Sequence, residues 1–296
     1  MKKQLRGSLL LLFATLIWGS TFIAQSVGMD YIGPFTFQAV RCFLAVIAML
    51  PCIYLFDRLS PEKGSFRERW MNPKLWTTGS LCGIALFVAA NLQQIGLVDT
   101  DAGKAGFITA LYIVLVPILG LVFHKRPGIS AWISVAIAVI GLYMLSCTGA
   151  TGIERGDLLL MGCALAFAIQ ITLVDRLAGN LDGLRVNCIQ ALVCATLSVP
   201  FMLLTETVDW NNLLHCWFPL FYAGVLSMGV AYSLQILGQQ SLDPTPASLI
   251  MSMEAIFAAL CGWLLLNERM NSSELLGCAL VLAGVIISQI PIKKRT

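Results

Sequence analysis

The feature that most constrains this chain is a series of ten apolar segments, each about twenty residues long and nearly free of charge. At ~1.5 Å rise per residue, a helix of that length crosses the ~30 Å hydrocarbon core of a bilayer. The chain is 58% hydrophobic and 12% charged, and soluble domains carry about twice that charged fraction. The sequence therefore predicts an all-α membrane protein with ten transmembrane helices.

The predicted spans are separated by turn residues and by charged residues. In chain order they are Gly7–Val27, Phe35–Phe56, Leu75–Val98, Gly103–Phe123, Ile129–Cys147, Gly156–Val174, Leu184–Thr205, Trp217–Leu237, Ala247–Leu266 and Glu274–Ile290.

The distribution of positive charge predicts the orientation of the chain. Most of the 19 Lys and Arg residues fall in the segments that share a side with the N-terminus, whereas only Lys104, Arg155 and Arg269 fall in segments on the other side. Short cytoplasmic loops carry an excess of Lys and Arg. Both termini are therefore predicted to be cytoplasmic, in a multi-pass protein of the cell membrane.

The two halves of the chain repeat one another in sequence. Pro51 aligns with Pro200 in one ungapped register, and Asp101 aligns with Asp243 in a second, shifted register. Other aligned pairs are Gly7/Gly156, Trp18/Phe167, Thr21/Gln170, Gln38/Asn187, Arg41/Gln190, Gln93/Gln235, Gly96/Gly238, Tyr112/Glu254, Gly120/Gly262 and Gly141/Gly284.

An odd number of spans in each half inverts the second half relative to the first. The predicted repeats are residues 1–149 and 150–296, each with five spans. Inverted repeats around a site near the bilayer midplane are an architecture of secondary transporters.

Three motifs resemble the EamA family of the drug/metabolite transporter superfamily. They are Trp18-Gly19-Ser20-Thr21-Phe22, Gly106-Phe107-Ile108-Thr109 with Tyr112 and Pro117, and Glu254 through Asn267-Glu268-Arg269. The family often has Pro after the ninth-helix Glu, whereas Ala255 stands here. The resemblance implies ten helices with inverted halves and a central cavity lined by helices one to four and six to nine. It also implies that the fifth and tenth helices pack outside, and that the substrate is a small molecule.

Glu254 is the one ionisable side chain between Ala247 and Leu266. A carboxylate at membrane depth is costly unless it faces a bundle interior or a wet cavity. Two interpretations remain open. Glu254 binds substrate or carries a coupling proton, or it makes an internal hydrogen bond that holds helices together.

Arg41 is the one cation that lies in the interior of a predicted span, away from its ends. By helix rise its depth is close to that of Glu254, so the two could pair or could hold the two ends of a zwitterion. The alternative is that Arg41 extends to the outer headgroups.

Uncharged polar and aromatic side chains complete the predicted cavity, because polar groups in spans avoid lipid. For each of them, hydrogen bonding between helices is the alternative. The predicted cavity residues are Trp18, Thr21, Gln25, Gln38, Arg41, Asn91, Gln94, Thr109, Tyr112, Gln170, Gln190, Tyr232, Gln235 and Glu254.

These observations predict a transporter that exports a small metabolite or amino acid by alternating access. Proton coupling through Glu254 is a further hypothesis, and uptake or facilitated permeation is the alternative direction. An intramembrane enzyme, a channel and a structural scaffold are rivals from other classes. The sequence shows no catalytic or metal-binding motif, so no cofactor, metal or nucleic-acid partner is expected. The expected partners are a small-molecule substrate and the bilayer, and the protein is expected to be a monomer or homodimer.

Overall fold

The computed structural model describes residues 2–59, 66–100, 102–122, 127–146, 154–266 and 271–289, and every regular element among them is a helix. All ten predicted segments are found as helices, and they are numbered spans 1 to 10 in chain order. Their bounds are Lys2–Met29, Pro34–Leu59, Pro73–Asp99, Ala102–Ala110 with Tyr112–Val122, Ile129–Ser146, Arg155–Leu177, Gly183–Thr205, Trp217–Phe221 with Tyr222–Ala231 and Tyr232–Gln239, Pro244–Met251 with Glu254–Leu266, and Ser272–Gln289.

In the described part of the chain, nine helices are long and apolar enough to cross a bilayer, and Ile129–Leu145 is a shorter apolar helix. The predicted ends that fall on described residues are correct to within five residues, whereas those at Phe123, Cys147 and Ile290 lie outside the described residues. Two short helices, Phe66–Trp70 and Trp210–His215, were not predicted. The fold class is confirmed as all-α and membrane-spanning, whereas the orientation of the termini stays a prediction.

Spans 4 and 9 are each interrupted near the middle, which the sequence analysis did not predict. Span 4 is interrupted at Leu111, and span 9 at Ser252 and Met253. At these points tighter i→i+3 bonds form, from the Leu111 N–H to the Ile108 carbonyl and from the Ala255 N–H to the Ser252 carbonyl, both 3.2 Å. Leu111 and Met253 align in the repeat register, so the two interruptions are equivalent.

The packing of the spans is symmetric when the halves are exchanged. Span 3 packs on spans 6 and 7. Its equivalent in the second half, span 8, packs in the same way on spans 1 and 2, the equivalents of spans 6 and 7. Span 4 contacts span 6 as span 9 contacts span 1, while spans 5 and 10 pack mainly on each other. This is the pattern expected of two inverted repeats, and the division of the chain into them stays a prediction. Their boundary at residues 149 and 150 lies outside the described residues.

Glycines allow the closest approaches between the halves, as is common between membrane helices. A Cβ atom on Gly83 of span 3 would lie 2.9 Å from the Gln190 carbonyl oxygen of span 7. One on Gly224 of span 8 would lie 2.8 Å from the Arg41 carbonyl oxygen of span 2. Because Arg41 aligns with Gln190, these two contacts are equivalent.

Span 8 holds a π-helical segment, Tyr222–Ala231. Gly83 and Gly96 lie on span 3, and the equivalent glycines Gly224 and Gly238 lie on span 8. The segment from Gly224 to Gly238 is one residue longer than the segment from Gly83 to Gly96. Span 8 therefore contains one residue more than span 3 over this stretch. A π-helical turn holds more residues than an α-turn, so we infer that the π-helix accommodates the extra residue.

Spans 2 and 7 are joined at both ends by acidic side chains. At the end of the bundle that holds Arg6, called here the N-terminal face, Asp57 accepts from Arg185 at 2.5 Å and from Arg69 at 2.6 Å. At the opposite face Glu206 accepts from the backbone N–H and hydroxyl of Thr36 at the start of span 2. Asp57 aligns with Glu206 and Thr36 with Arg185, so the two contacts are related by the repeat.

Candidate functional site

The interruptions of spans 4 and 9 present two side chains to each other at the centre of the bundle. Tyr112 is the first residue of the second helix of span 4, and Glu254 is the first residue of the second helix of span 9. Both are buried, and the Tyr112 hydroxyl donates to Oε1 of Glu254 at 3.2 Å. Interrupted membrane helices that meet at a repeat interface commonly form the substrate site of transporters.

A small central cavity surrounds this pair. It offers about 40 Å³ to the centres of water molecules, which is room for a few waters. Its lining residues come from spans 1, 2, 3, 4, 6, 8 and 9. They are Trp18, Phe22, Gln25, Arg41, Gln93, Thr109, Tyr112, Phe167, Ile171, Ser227, Tyr232, Gln235, Met251 and Glu254. Spans 5 and 10 contribute no lining residue, as expected, whereas span 7, which was expected to contribute, does not.

Most of the lining consists of residues that are equivalent in the two halves. The cavity therefore lies where the two halves meet symmetrically. The equivalent pairs are Trp18/Phe167, Phe22/Ile171, Gln93/Gln235, Thr109/Met251 and Tyr112/Glu254.

Arg41 is held inside the bundle and does not extend to the headgroups. It is 3% exposed and lines the cavity. Its Nε donates to Oε1 of Gln38 at 2.8 Å, and its Nη1 donates to Oε1 of Gln25 at 2.5 Å. Arg41 and Glu254 are both described, and no ion pair within 4.0 Å joins them. The cavity thus contains a buried cation and a buried acid that do not neutralise each other by direct contact.

An aromatic pair forms another part of the wall. The rings of Trp18 and Tyr232 meet edge to face, with centroids 4.9 Å apart. The indole Nε1 of Trp18 is buried and has no hydrogen-bond partner in the part of the chain that the structure describes. Aromatic walls with a few placed polar groups are typical of small-molecule sites.

The structure brings eight of the predicted residues to the cavity: Trp18, Gln25, Arg41, Thr109, Tyr112, Tyr232, Gln235 and Glu254. The other six lie outside its lining because their polar groups bond within or between helices. They are Thr21, Gln38, Asn91, Gln94, Gln170 and Gln190.

The bonds of three of these residues illustrate their positions. The Thr21 hydroxyl donates to the Ile17 carbonyl of its own helix at 2.6 Å. Asn91 donates to the Ser198 hydroxyl on span 7 at 3.2 Å, and Gln94 donates to the Gln25 backbone carbonyl at 3.4 Å. Asn91 and Gln94 thus bond between helices, the alternative stated for them, whereas Thr21 bonds within its own helix.

The sequence analysis did not select six lining residues: Phe22, Gln93, Phe167, Ile171, Ser227 and Met251. Three of them, Gln93, Phe167 and Met251, align with predicted cavity residues in the other half. The repeat register could have identified these three, whereas Ser227 lies in the unpredicted π-helix.

Among the described residues, no group of three His, Cys, Asp or Glu side chains is placed to hold a metal ion. The cysteines that the structure describes are free thiols. The chemistry that the cavity offers is therefore charge pairing, hydrogen bonding and aromatic contact.

Comparison with known proteins gives a consistent result. A family model described as the EamA-like transporter family matches residues 5–147 and again residues 154–289. An uncharacterized transporter of Archaeoglobus fulgidus is 32% identical over 289 residues, which cover 96% of this chain and 86% of the relative.

A second relative is the threonine/homoserine exporter RhtA of Escherichia coli strain K12. It is 27% identical over 256 residues, which cover 83% of this chain and 81% of RhtA. A solved crystal structure superposes with a TM-score of 0.77 over 96% of each chain at 17% identity. At that identity the likeness shows the fold alone.

Proposed function

Because the chain belongs to the EamA-like transporter family and is thus a multi-pass membrane transporter, we propose that it exports an amino acid or a similar small metabolite. The central cavity is the proposed binding site. Alternating access, in which the two halves open the cavity to one side of the membrane at a time, is the proposed mechanism.

The unpaired acid and base in the cavity carry this proposal. Glu254 is 6% exposed and Arg41 is 3% exposed. A charge that is buried without a charged partner is strongly destabilising. An amino acid would offset this cost at both positions, since its carboxylate complements Arg41 and its ammonium complements Glu254.

The size of the cavity fits a closed intermediate of the transport cycle. Sites that hold small organic ligands typically enclose about 300 Å³ or more, far above the ~40 Å³ observed here. The helices that line the cavity must therefore separate before substrate enters. Interruptions such as those at Leu111 and Ser252 are points at which a span can bend.

The substrate class and the direction of transport follow a relative. RhtA is named as an exporter of threonine and homoserine, which supports an amino acid as substrate and export as direction. Uptake through the same cavity is the alternative direction, and a transport assay separates the two. A proton carried by Glu254 is the proposed coupling mechanism, in which proton entry drives substrate exit.

The experiment is transport by purified protein in liposomes of known orientation, loaded with radiolabelled L-threonine or L-homoserine. Wild-type protein should release substrate faster when a proton gradient is imposed. Glu254→Gln keeps the size of the side chain and removes its charge. We expect it to lower the transport rate about tenfold or more, the effect of losing one hydrogen bond to a charged group.

Asp30→Asn is the matched control, because Asp30 is exposed at the end of span 1 and lies outside the cavity. It should transport as the wild type does. A Glu254→Gln variant that keeps both the full transport rate and the pH dependence of the wild type would contradict the role of Glu254. Loss of the pH dependence with full downhill transport would assign Glu254 to coupling alone.

A further inference from the structure

A chain of four buried amide side chains leads away from the cavity through the second half of the protein. Gln235 lines the cavity, and its Nε2 donates to Oε1 of Gln170 at 3.1 Å. Gln170 Nε2 donates to Oε1 of Gln190 at 3.3 Å, and Gln190 Nε2 donates to Oδ1 of Asn187 at 2.8 Å. Each amide thus donates to the next in one direction.

The π-helix determines this direction. The Asn187 amide contacts the carbonyl oxygens of Met228 and Gly229, both at 2.9 Å, and the Ser233 hydroxyl at 2.8 Å. A backbone carbonyl can only accept a hydrogen bond. Asn187 must therefore present its NH₂ group to the π-helix and its oxygen to Gln190.

The same constraint passes along the chain of amides to the cavity. Since the Asn187 oxygen needs a donor, Gln190 must offer NH₂ there and oxygen to Gln170. Gln170 must in turn offer oxygen to Gln235. The remaining group of Gln235 is Oε1, which is buried and has no partner among the described residues; Gln235 as a whole is 2% exposed.

The first half gives the opposite polarity. An arginine side chain only donates, so Arg41 requires the oxygen of Gln25 and leaves the Gln25 NH₂ group for other contacts. The unpartnered Nε1 of Trp18 is also a donor. Arg41 and Trp18 of the first half therefore offer donors to the cavity, and Glu254 and Gln235 of the second half offer acceptors.

We propose that Oε1 of Gln235 accepts a hydrogen bond from an N–H group of the substrate, and that Asn187, Gln190 and Gln170 are positioning residues that keep this oxygen directed at the cavity. This inference rests on the proposed function, because it assigns the amine end of the substrate to the second half of the cavity. An unpartnered buried acceptor is costly, and a protonated amine removes that cost.

The test compares two probes by isothermal titration calorimetry with the purified full-length protein. The probes are L-homoserine and its N,N,N-trimethyl derivative, which keeps the positive charge and lacks N–H donors. Wild-type protein should bind L-homoserine about 10- to 100-fold more tightly, the range for one hydrogen bond to a charged group. Gln235→Leu, which removes the acceptor, should reduce this ratio toward one.

The positioning role is tested by Asn187→Leu and Gln190→Leu. Each variant frees Gln235 to turn its NH₂ group toward the cavity, so each should lower the ratio of the two affinities as Gln235→Leu does. A purely structural defect weakens both probes together and leaves the ratio unchanged. Leu192→Ala, outside the cavity lining on the same span, is the control and should keep the wild-type ratio.

Each outcome decides a separate point. A ratio that persists in Gln235→Leu would show that discrimination is steric and would overturn the inference. A ratio that falls in Gln235→Leu but persists in both Asn187→Leu and Gln190→Leu would overturn the positioning role. Equal binding of both probes by wild-type protein would overturn the inference alone, whereas binding of neither would count against the proposed function as well.

Discussion

At the scale of single residues, Glu254 and Tyr112 show how the protein keeps a polar site inside a membrane bundle. Each occupies the same position in its own half, and the two meet through one hydrogen bond of 3.2 Å. Burial increases the contribution of that bond to stability, because a buried acceptor without a partner has lost its hydration without compensation. The pair therefore links the two halves at the wall of the cavity.

Tyr112→Phe removes the hydroxyl and leaves Oε1 of Glu254 without this donor. We expect a loss of about 1–3 kcal/mol in the free energy of unfolding, measured by denaturation of the purified protein in detergent. Tyr143→Phe is the matched control, because Tyr143 is exposed on span 5 and lies outside the cavity. Equal stability of the two variants would show that the bond to Glu254 contributes nothing.

The sequence identified Glu254, Arg41 and Tyr112 as cavity residues because charged and polar groups at membrane depth avoid lipid. The same rule could not separate Gln235, which lines the cavity, from Gln170, which bonds to it from behind. Both positions shield an amide from lipid equally well. Only the three-dimensional packing distinguishes a cavity wall from a helix contact.

At the scale of elements, the π-helix and the two interruptions are the departures from regular helix. The apolar composition predicted the ten spans, since the bilayer requires about twenty apolar residues for each crossing. The interruption before Glu254 was not predicted, because neither Ser252 nor Met253 is a helix breaker such as proline or glycine. It depends on a local exchange of i→i+4 for i→i+3 bonds, which composition does not reveal.

If the π-helix holds one extra residue, span 8 should tolerate the loss of one. We expect deletion of Leu226, within Tyr222–Ala231, to leave a folded membrane protein. Deletion of Ala85 from the regular span 3 should prevent folding, because one residue rotates the rest of a helix by ~100°. Yield and monodispersity in size-exclusion chromatography measure both, and similar behaviour of the two deletions would contradict the assignment.

The acidic contacts at the two ends of spans 2 and 7 should differ in energy. Asp57 accepts from two arginines, one of which also pairs with Asp182, so its loss removes one of the acids that offset this buried positive charge. Glu206 accepts from the backbone N–H groups of Phe35 and Thr36 and from the Thr36 hydroxyl, none of which carries a charge. Removing one partner of a buried ion pair costs about 3–5 kcal/mol, whereas a lost helix cap costs about 1 kcal/mol.

We therefore expect Asp57→Asn to lower the midpoint of thermal unfolding more than Glu206→Gln does. Both changes replace a carboxylate with an amide of the same shape, so each serves as the control for the other. An equal shift of the two midpoints would indicate that the arginines at the N-terminal face find other partners when Asp57 is neutral.

At the scale of the whole molecule, the two faces of the bundle carry different side-chain contacts. Lys104 of span 4 and Asp157 of span 6 form an ion pair of 2.7 Å at the opposite face. The aligned positions at the N-terminal face hold Pro246 and Ser8, which cannot form such a pair. Under the proposed alternating access, this difference would make the inward and outward openings unequal.

The central claim is that this cavity is exposed to each side of the membrane in turn. The direct test places one cysteine at Ser227, which lines the cavity, in a version whose ten native cysteines are replaced. A membrane-impermeant thiol reagent is then applied to intact cells and, separately, to inverted vesicles. Ile140→Cys, on the exposed surface of span 5, is the control that should react from neither side. We expect Ser227→Cys to react from both sides and to be protected by substrate, whereas reaction from one side only under every condition would contradict alternating access.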